Sequence, residues 1–243
     1  MVKKYPDIIV GVKTAHFQPP TWEAVDRAVE AGKLSSKPVM VDFTQKPGRL
    51  YSDLLLKHLR PGDLHTHFYG RANPLLDENK KIAPYALAAR QRGVLFDVGH
   101  GAGSFLFRNA VPAIQQGFLP DTISTDIHKR SIMLPRADMT TTMSKLLNIG
   151  LSVDQVVERS TVNAAGAIHR PDLGHLSEGG IADVAVLEIQ KGKFGFVDSG
   201  LNKLIGDRRI RCVLTIRAGK VAWDADGLSL ADWQNAGPYT NFR

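Results

Sequence analysis

Apolar residues in the first half of the chain gather in short runs: "DIIVGVK" (7–13), "PVMVDF" (38–43), "DLHTHF" (63–68), "VLFDVG" (94–99) and "TISTD" (122–126). Rich in β-branched and aromatic residues and bounded by turn formers, these predict strands. Between them "TWEAVDRAVEAG", "YSDLLLKHL", "PYALAARQRG" and "FRNAVPAIQQG" carry helical spacing, and several end in glycine, as helix stops do. The alternation predicts five βα units and a parallel sheet, an α/β fold. After Asp126, "DMTTTMSKLLNIG" and "SVDQVVERSTVNAAGAI" predict two further helices, the second opened by Ser152 as N-cap. From about residue 176 the pattern changes. "ADVAVLEI", "KFGFVD" and "RIRCVLTIRAGKVAWD" are β-type runs split by turn residues, with "RAGK" read as a hairpin. The chain thus divides into residues 1–175 and an all-β portion, 176–243. It holds no internal repeat and no low-complexity segment.

In parallel βα architectures the side chains that do chemistry come from the carboxyl ends of the strands. Here those positions offer Lys13, Asp42, His67, His100 and Asp126 in succession. Singly, each has a plain structural reading: a solvated lysine, capping aspartates, hydrogen-bonded interior histidines. Five in a row at the same end point to a site, since buried charges without partners are costly. In "GDLHTHFYG" (62–70), His65 and His67 stand at i and i+2 and are expected on one strand face, a metal-binding spacing. Imidazole and carboxylate are the donors of a zinc-type hydrolytic site, whereas a protonated lysine cannot bind a cation. Captured carbon dioxide would make Lys13 a carbamate, an anionic ligand able to bridge two ions.

Composition narrows the partners. With 243 residues, 43% of them hydrophobic, the chain can bury a real core. The net charge of +7 suits an anionic partner, yet the basic residues, as in "DRRIRC" and "IHKR", are scattered and not interleaved with aromatics, so no nucleic acid is expected. The single cysteine, Cys212, excludes an internal disulfide framework and suits a reducing cytoplasm, the expected location. No stretch approaches the roughly 20 apolar residues of a membrane helix, and "MVKKYPDIIVGVK" is too short and polar for a secretory signal, so no membrane partner is expected.

The ordered set "IIVGVKTAHF", "RPGDLHTHFYG", "RGVLFDVGHGAGSF", "QGFLPDTISTDIH", "TMSKLLNIGLSVDQVVERSTVNAAGAI" and "LGHLSEGGIADVAVLEI" resembles the second half of the amidohydrolase superfamily. It is most similar to the dihydroorotase-like amidohydrolase/deacetylase metallohydrolases, over most of residues 7–224. That resemblance implies a TIM-type barrel with a small β-sandwich, and a centre of one or two ions, zinc or another divalent metal, that hydrolyses amide or ester bonds in cyclic or acylated small molecules. It makes Lys13 the carboxylated lysine of barrel strand four, His67 a metal ligand, and Asp126 both a metal ligand and the catalytic proton carrier. Asp42 stands where many relatives have a histidine ligand, so a second metal would be weakened or carboxylate-bound, with His16 a candidate to compensate. His65 matches no ligand and is expected one layer deeper, as a hydrogen-bonded interior histidine. His100 would contact substrate or orient Asp126, and the backbone N–H groups of Gly101–Ser104 would receive a carboxylate.

The family's HxH pair precedes the lysine and has no counterpart here. The expected architecture is therefore a partial TIM-type (β/α) barrel, strands four to eight, followed by a β-sandwich portion. The implied function is metal-dependent hydrolysis of a small-molecule substrate, by a portion inactive alone that needs a missing N-terminal segment or assembles as a homo-oligomer. The alternative is a non-catalytic remnant that binds a small molecule or a partner. The positive balance suggests an anionic acyl substrate, with Lys129, Arg130 and Arg136 as anchors.

Overall fold

A computed structural model of the protein describes residues 1–129, 131–133 and 137–238. Four short strands, β1 (Val12–Thr14), β2 (Val39–Asp42), β3 (Leu64–Thr66) and β4 (Leu95–Asp97), form a parallel sheet in chain order. Each is shorter than its apolar run. Residues 7–11 are turn and irregular chain, because β1 is an edge and no neighbour among the described residues extends its ladder. The fifth run is extended but pairs as a single bridge, Asp97 to Thr122, continued by Val98 N–H to Thr122 O (3.1 Å), His100 N–H to Ser124 O (3.2 Å) and Gly101 N–H to Thr125 O (2.8 Å). Gly99 and Gly101 sit at φ +47° and +51°, which twists the β4 side out of ladder geometry.

Helices α1 (Glu23–Ser35), α2 (Tyr51–Asp53, running into a π-helical turn at Leu54–His58), α3 (Pro84–Gln91) and α4 (Phe107–Gln115) follow the first four strands in turn. On α1 the buried stripe is Val25, Ala28, Val29 and Gly32, a helical i, i+3, i+4, i+7 set. Gly32 is where the helix crosses the sheet: a Cβ there would lie 2.5 Å from Val39 Cγ2. Val39, Val41, His65 and Phe96 turn toward the helices and are buried, whereas Met40, Leu64 and Asp97 line a hollow on the opposite face. That opposite face carries the chemistry.

Next come α5 (Met139–Asn148), α6 (Val153–Ser160) and α7 (Val162–Ala167). Asp138 caps α5 through Thr141 N–H (2.8 Å), and Ser152 and Gln155 form a reciprocal capping box on α6. The single helix expected over 152–168 breaks at Thr161 (φ −127°, ψ −97°). There the Ser160 and Thr161 hydroxyls bond back to Val156 O and Val157 O, the competition with helix that such residues offer.

The last three strands, β5 (Val184–Val197), β6 (Lys203–Arg217) and β7 (Lys220–Asp224), make one antiparallel sheet in that order. The expected break between "ADVAVLEI" and "KFGFVD" is a register shift between Lys191 and Phe194 inside one strand. "RAGK" is a two-residue hairpin turn, with Ala218 and Gly219 at φ +48° and +77° and Arg217 paired to Lys220. A second sheet that would close a sandwich is not among the described elements. This sheet docks on α5. Asn148 Oδ1 accepts from Asp207 N–H (2.9 Å), Asn148 Nδ2 donates to Arg208 O (2.7 Å), and Ser144 Oγ accepts from Ile210 N–H (2.9 Å). Phe196 and Ile210 join the same apolar core as the helices, so both sheets share one core.

Candidate functional site

At the carboxyl ends of β2, β3 and the fifth extended segment, Asp42, His67 and Asp126 converge on one cavity of about 590 Å³. His67 Nε2 lies 3.6 Å from Asp42 Oδ2 and 3.9 Å from Asp126 Oδ2. His16, on the loop after β1, brings its Nε2 to 3.8 Å from the same Asp42 oxygen, although its side chain is mostly exposed. His67 Nδ1–H donates to Gly99 O at 2.5 Å. This bond fixes the tautomer and leaves the Nε2 lone pair facing the carboxylates, the arrangement of a ligating imidazole.

The backbone conspires in the same direction. His16, His67 and Asp126 all have left-handed backbone, φ +57°, +66° and +47°. Such values are uncommon outside glycine and gather at functional sites, where the surrounding structure enforces them. At His67 the reversal breaks strand alternation, which answers where the two histidines point. His65 does not share the face of His67. It lies in the helix-side core at 5.0 Å from the Tyr51 ring, its Nδ1–H donating to Val41 O at 3.3 Å. Burial above all, with a smaller push from the neighbouring His67 and against the opposing pull of its bond to Val41, leaves its pKa lowered to about 3. A neutral imidazole in the fold and a protonated one in the unfolded chain make stability fall as pH drops below about 6.5 toward 3. We expect a loss of about 2 kcal/mol between pH 7 and pH 5, read from urea unfolding, and a flatter profile in His65→Phe.

A buried aspartate that the strand-end rule passed over braces the segments that carry the site. Asp97 accepts hydroxyl bonds from Thr66 (2.7 Å), Thr122 (2.6 Å) and Ser124 (2.7 Å). It thereby ties β3 and the fifth segment to β4. Only hindsight reads it from sequence: an aspartate inside an apolar run with hydroxyl residues on the runs that flank it. The cavity also gains Asn73, whose Nδ2 donates to His67 O at 2.7 Å, and Arg71, neither singled out by the sequence pattern.

Other expected residues sit elsewhere. Lys13 pairs with Met40, two residues short of Asp42, is exposed, and lines a separate hollow with Met40 and Leu64. His100 is fully buried and stacks on Phe105 at 4.9 Å. Its Nδ1–H donates to Gly101 O (2.9 Å) and its Nε2 accepts from the buried Lys145 Nζ (2.7 Å). It is outside the cavity lining, and its tie to Gly101 backs Asp126: a Cβ on Gly101 would lie 2.6 Å from Asp126 Oδ2. Of the N–H groups expected to receive a carboxylate, Gly101 donates to Thr125 O and Ser104 to His100 O. Lys129 is exposed and outside the lining, while Arg130 and Arg136 lie outside the described residues.

Among the described residues no three ligand side chains are already gathered at bonding separation for one ion. The donor set nevertheless fits a divalent cation: one oriented imidazole nitrogen, two carboxylates and a nearby second histidine. Two ligands of a tetrahedral zinc ion stand roughly 3.4 Å apart, so the 3.6 and 3.9 Å spacings need to contract by a few tenths of an ångström.

No family model matches the chain. A deacetylase of Brucella anthropi is 34% identical over 210 residues, 82% of this chain and 52% of the relative. A deacetylase of Enterococcus faecalis is 32% identical over 228 residues, 90% of this chain and 61% of the relative. The chain spans between about half and three fifths of the length of these curated relatives. Among solved structures, an adenine deaminase superposes with a TM-score of 0.85 at 29% identity, over 92% of this chain and 62% of that one. A dihydroorotase does so with a TM-score of 0.78, also at 29% identity and the same two coverages.

Proposed function

Because the chain belongs to the amidohydrolase superfamily, we propose that it is the strand-four-to-eight portion of a TIM-type barrel hydrolase that cleaves amide or ester bonds in small acylated or cyclic compounds. The observation that carries this is the convergence of His67, Asp42 and Asp126 around one cavity, with left-handed backbone at His67 and Asp126. These three side chains would hold zinc or another divalent ion, with His16 next to Asp42 as a further donor. When bound, such an ion acidifies water and polarises a carbonyl. Lys13, as a carbamate, would have to turn its anionic end up the β1 face from the level of Met40.

The protein's own part is positional. His67 is held by Gly99 O, so its Nε2 cannot rotate away. Asp126 is packed against Gly101, whose missing side chain leaves room for Oδ2, and the Asp126 side chain, about one-third exposed, lines the cavity. In this reading Oδ2 would take a proton from attacking water and return it to the departing group. A second reading, a binding module without catalysis, draws on Lys13, which lines a different hollow from the three candidate ligands.

The test is to purify the 243-residue chain from zinc-supplemented cells and assay N-acyl and cyclic amides, alone and co-expressed with the N-terminal barrel segment of a relative. Metal-dependent turnover that falls at least about a hundredfold in Asp126→Asn is the expected result. Stoichiometric metal with no turnover in either form would sink the hydrolase reading in favour of the binding module.

A further inference from the structure

Lysine is rarely buried outright, yet Lys145, in the last turn of α5, is fully buried. Its Nζ donates to His100 Nε2 (2.7 Å) and lies 5.7 Å from the centre of the Phe105 ring, on which His100 itself stacks. The His100 ring is thus engaged at both nitrogens. A carbonyl can only accept, so the bond to Gly101 O (2.9 Å) requires the proton on Nδ1, and an ammonium can only donate, so Nε2 is the bare nitrogen. Lys145 therefore favours the one tautomer in which His100 can hold the Gly101 carbonyl. An apolar side chain of similar length would fill this space without the desolvation that a buried ammonium suffers. The lysine's presence points to a need for its donor.

What His100 holds leads to Asp126. His100 N–H donates to Ser124 O (3.2 Å) and Gly101 N–H to Thr125 O (2.8 Å), so the two residues before Asp126 hang on the pair that the imidazole fixes. Gly101 and Asp126 both have left-handed backbone, φ +51° and +47°, and a Cβ on Gly101 would lie 2.6 Å from Asp126 Oδ2. A rotation of the Gly101 peptide would therefore displace the carboxylate that faces His67 Nε2 at 3.9 Å. Neither Lys145 nor His100 lines the cavity, so neither acts there directly. The helix that carries Lys145 is itself fixed to β6 through Ser144 and Asn148, which gives the ammonium a rigid support.

We propose that Lys145 is a positioning residue: by donating to His100 Nε2 it locks the Nδ1–H tautomer that holds the Gly101 peptide, and through that peptide it sets the Asp126 carboxylate against His67. The lock on His100 stands on the hydrogen bonds alone. Its consequence for metal rests on the reading of Asp126 as a ligand.

The experiment compares the full chain with Lys145→Met, which keeps the bulk and loses the donor, and with Lys145→Gln, which keeps a shorter donor. In metal-free protein, side-chain ¹⁵N NMR reads the tautomer of His100, assigned with His100→Gln. The Nδ1–H form is expected in the unsubstituted chain and its loss in Lys145→Met, with shifts of the Gly101 amide and Asp126 carboxyl signals and partial recovery in Lys145→Gln. Zinc affinity, from chelator competition, should fall about tenfold in Lys145→Met. The urea midpoint should stay level or rise, a combination that a merely structural lysine does not give. In an Asp126→Asn background the same substitution should change zinc affinity by less than about twofold, because the path runs through that carboxylate. An Nε2–H tautomer in the unsubstituted chain overturns the proposal, as does an unchanged His100, Gly101 and Asp126 pattern in Lys145→Met. A full tenfold loss that persists beside Asn at position 126 overturns it as well. Should Lys145→Met not fold, the tautomer of the unsubstituted chain and the signals of Lys145→Gln decide in its place. Absence of zinc binding by the unsubstituted chain sinks the metal reading alone, and the NMR comparison still decides the lock.

Discussion

In His67→Ala the affinity of the chain for zinc is expected to fall by about a hundredfold or more, measured by competition with a chromophoric chelator. His67 supplies the one nitrogen that faces both candidate carboxylates, and the bond from its Nδ1–H to Gly99 O means that the remaining nitrogen is already aimed. Two other histidines are poorly placed to replace it: His16 sits on an exposed loop, and His65 is buried on the helix side of the sheet. A companion substitution separates position from chemistry. In Gly99→Ala the new Cβ would overlap Thr66 Oγ1 and His67 Nδ1, and φ +47° is unfavourable for alanine. This variant keeps every donor yet should lose at least about tenfold in zinc affinity, the size of effect seen when a ligand's support is disturbed. Zinc affinity unchanged in His67→Ala would remove this histidine from the metal site and, with it, the reading that the three strand ends form one centre.

The fold was legible where periodicity and turn chemistry agree. The βα alternation gave the order β1 to β4, "RAGK" gave the last hairpin, and Ser152 gave the start of α6. Boundaries were less legible, because a strand's length depends on its neighbour. Residues 7–11 have the composition of a strand but no ladder partner, and the run at 122–126 has a partner whose glycines twist away from it. The candidate site was partly legible. The strand-end rule picked out Lys13, Asp42, His67, His100 and Asp126, and the fold brings Asp42, His67 and Asp126 to one cavity, since those positions follow from the direction of the sheet. It could not see that His67 would adopt φ +66°, and so it placed His65 on the wrong face. It could not tell a histidine opening on a cavity from one bound to a buried lysine 45 residues away, as His100 is.

Asp97→Ala is expected to destabilise the chain by about 3 kcal/mol or more in urea unfolding, the largest loss predicted here for a polar side chain. The carboxylate is fully buried and receives three hydroxyl bonds at 2.6–2.7 Å, from residues that are themselves mostly buried. Removing it deprives Thr66, Thr122 and Ser124 of their acceptor at once, and an unsatisfied buried hydroxyl costs on the order of 1–3 kcal/mol. Some hydroxyls will rotate to backbone carbonyls, which holds the total below the sum of three. The damage should also be directional. Thr66 precedes His67 and Ser124 lies two residues before Asp126, so the same substitution loosens both ends of the His67–Asp126 pair. Zinc affinity should then fall together with stability in Asp97→Ala. Asp97→Asn, which keeps one acceptor oxygen and turns the other position into a donor, should sit between it and the unsubstituted chain in both measurements. A loss below about 1 kcal/mol in Asp97→Ala would mean that the three hydroxyls are satisfied elsewhere at little cost, and that the fifth segment is held to the sheet by its backbone bonds alone.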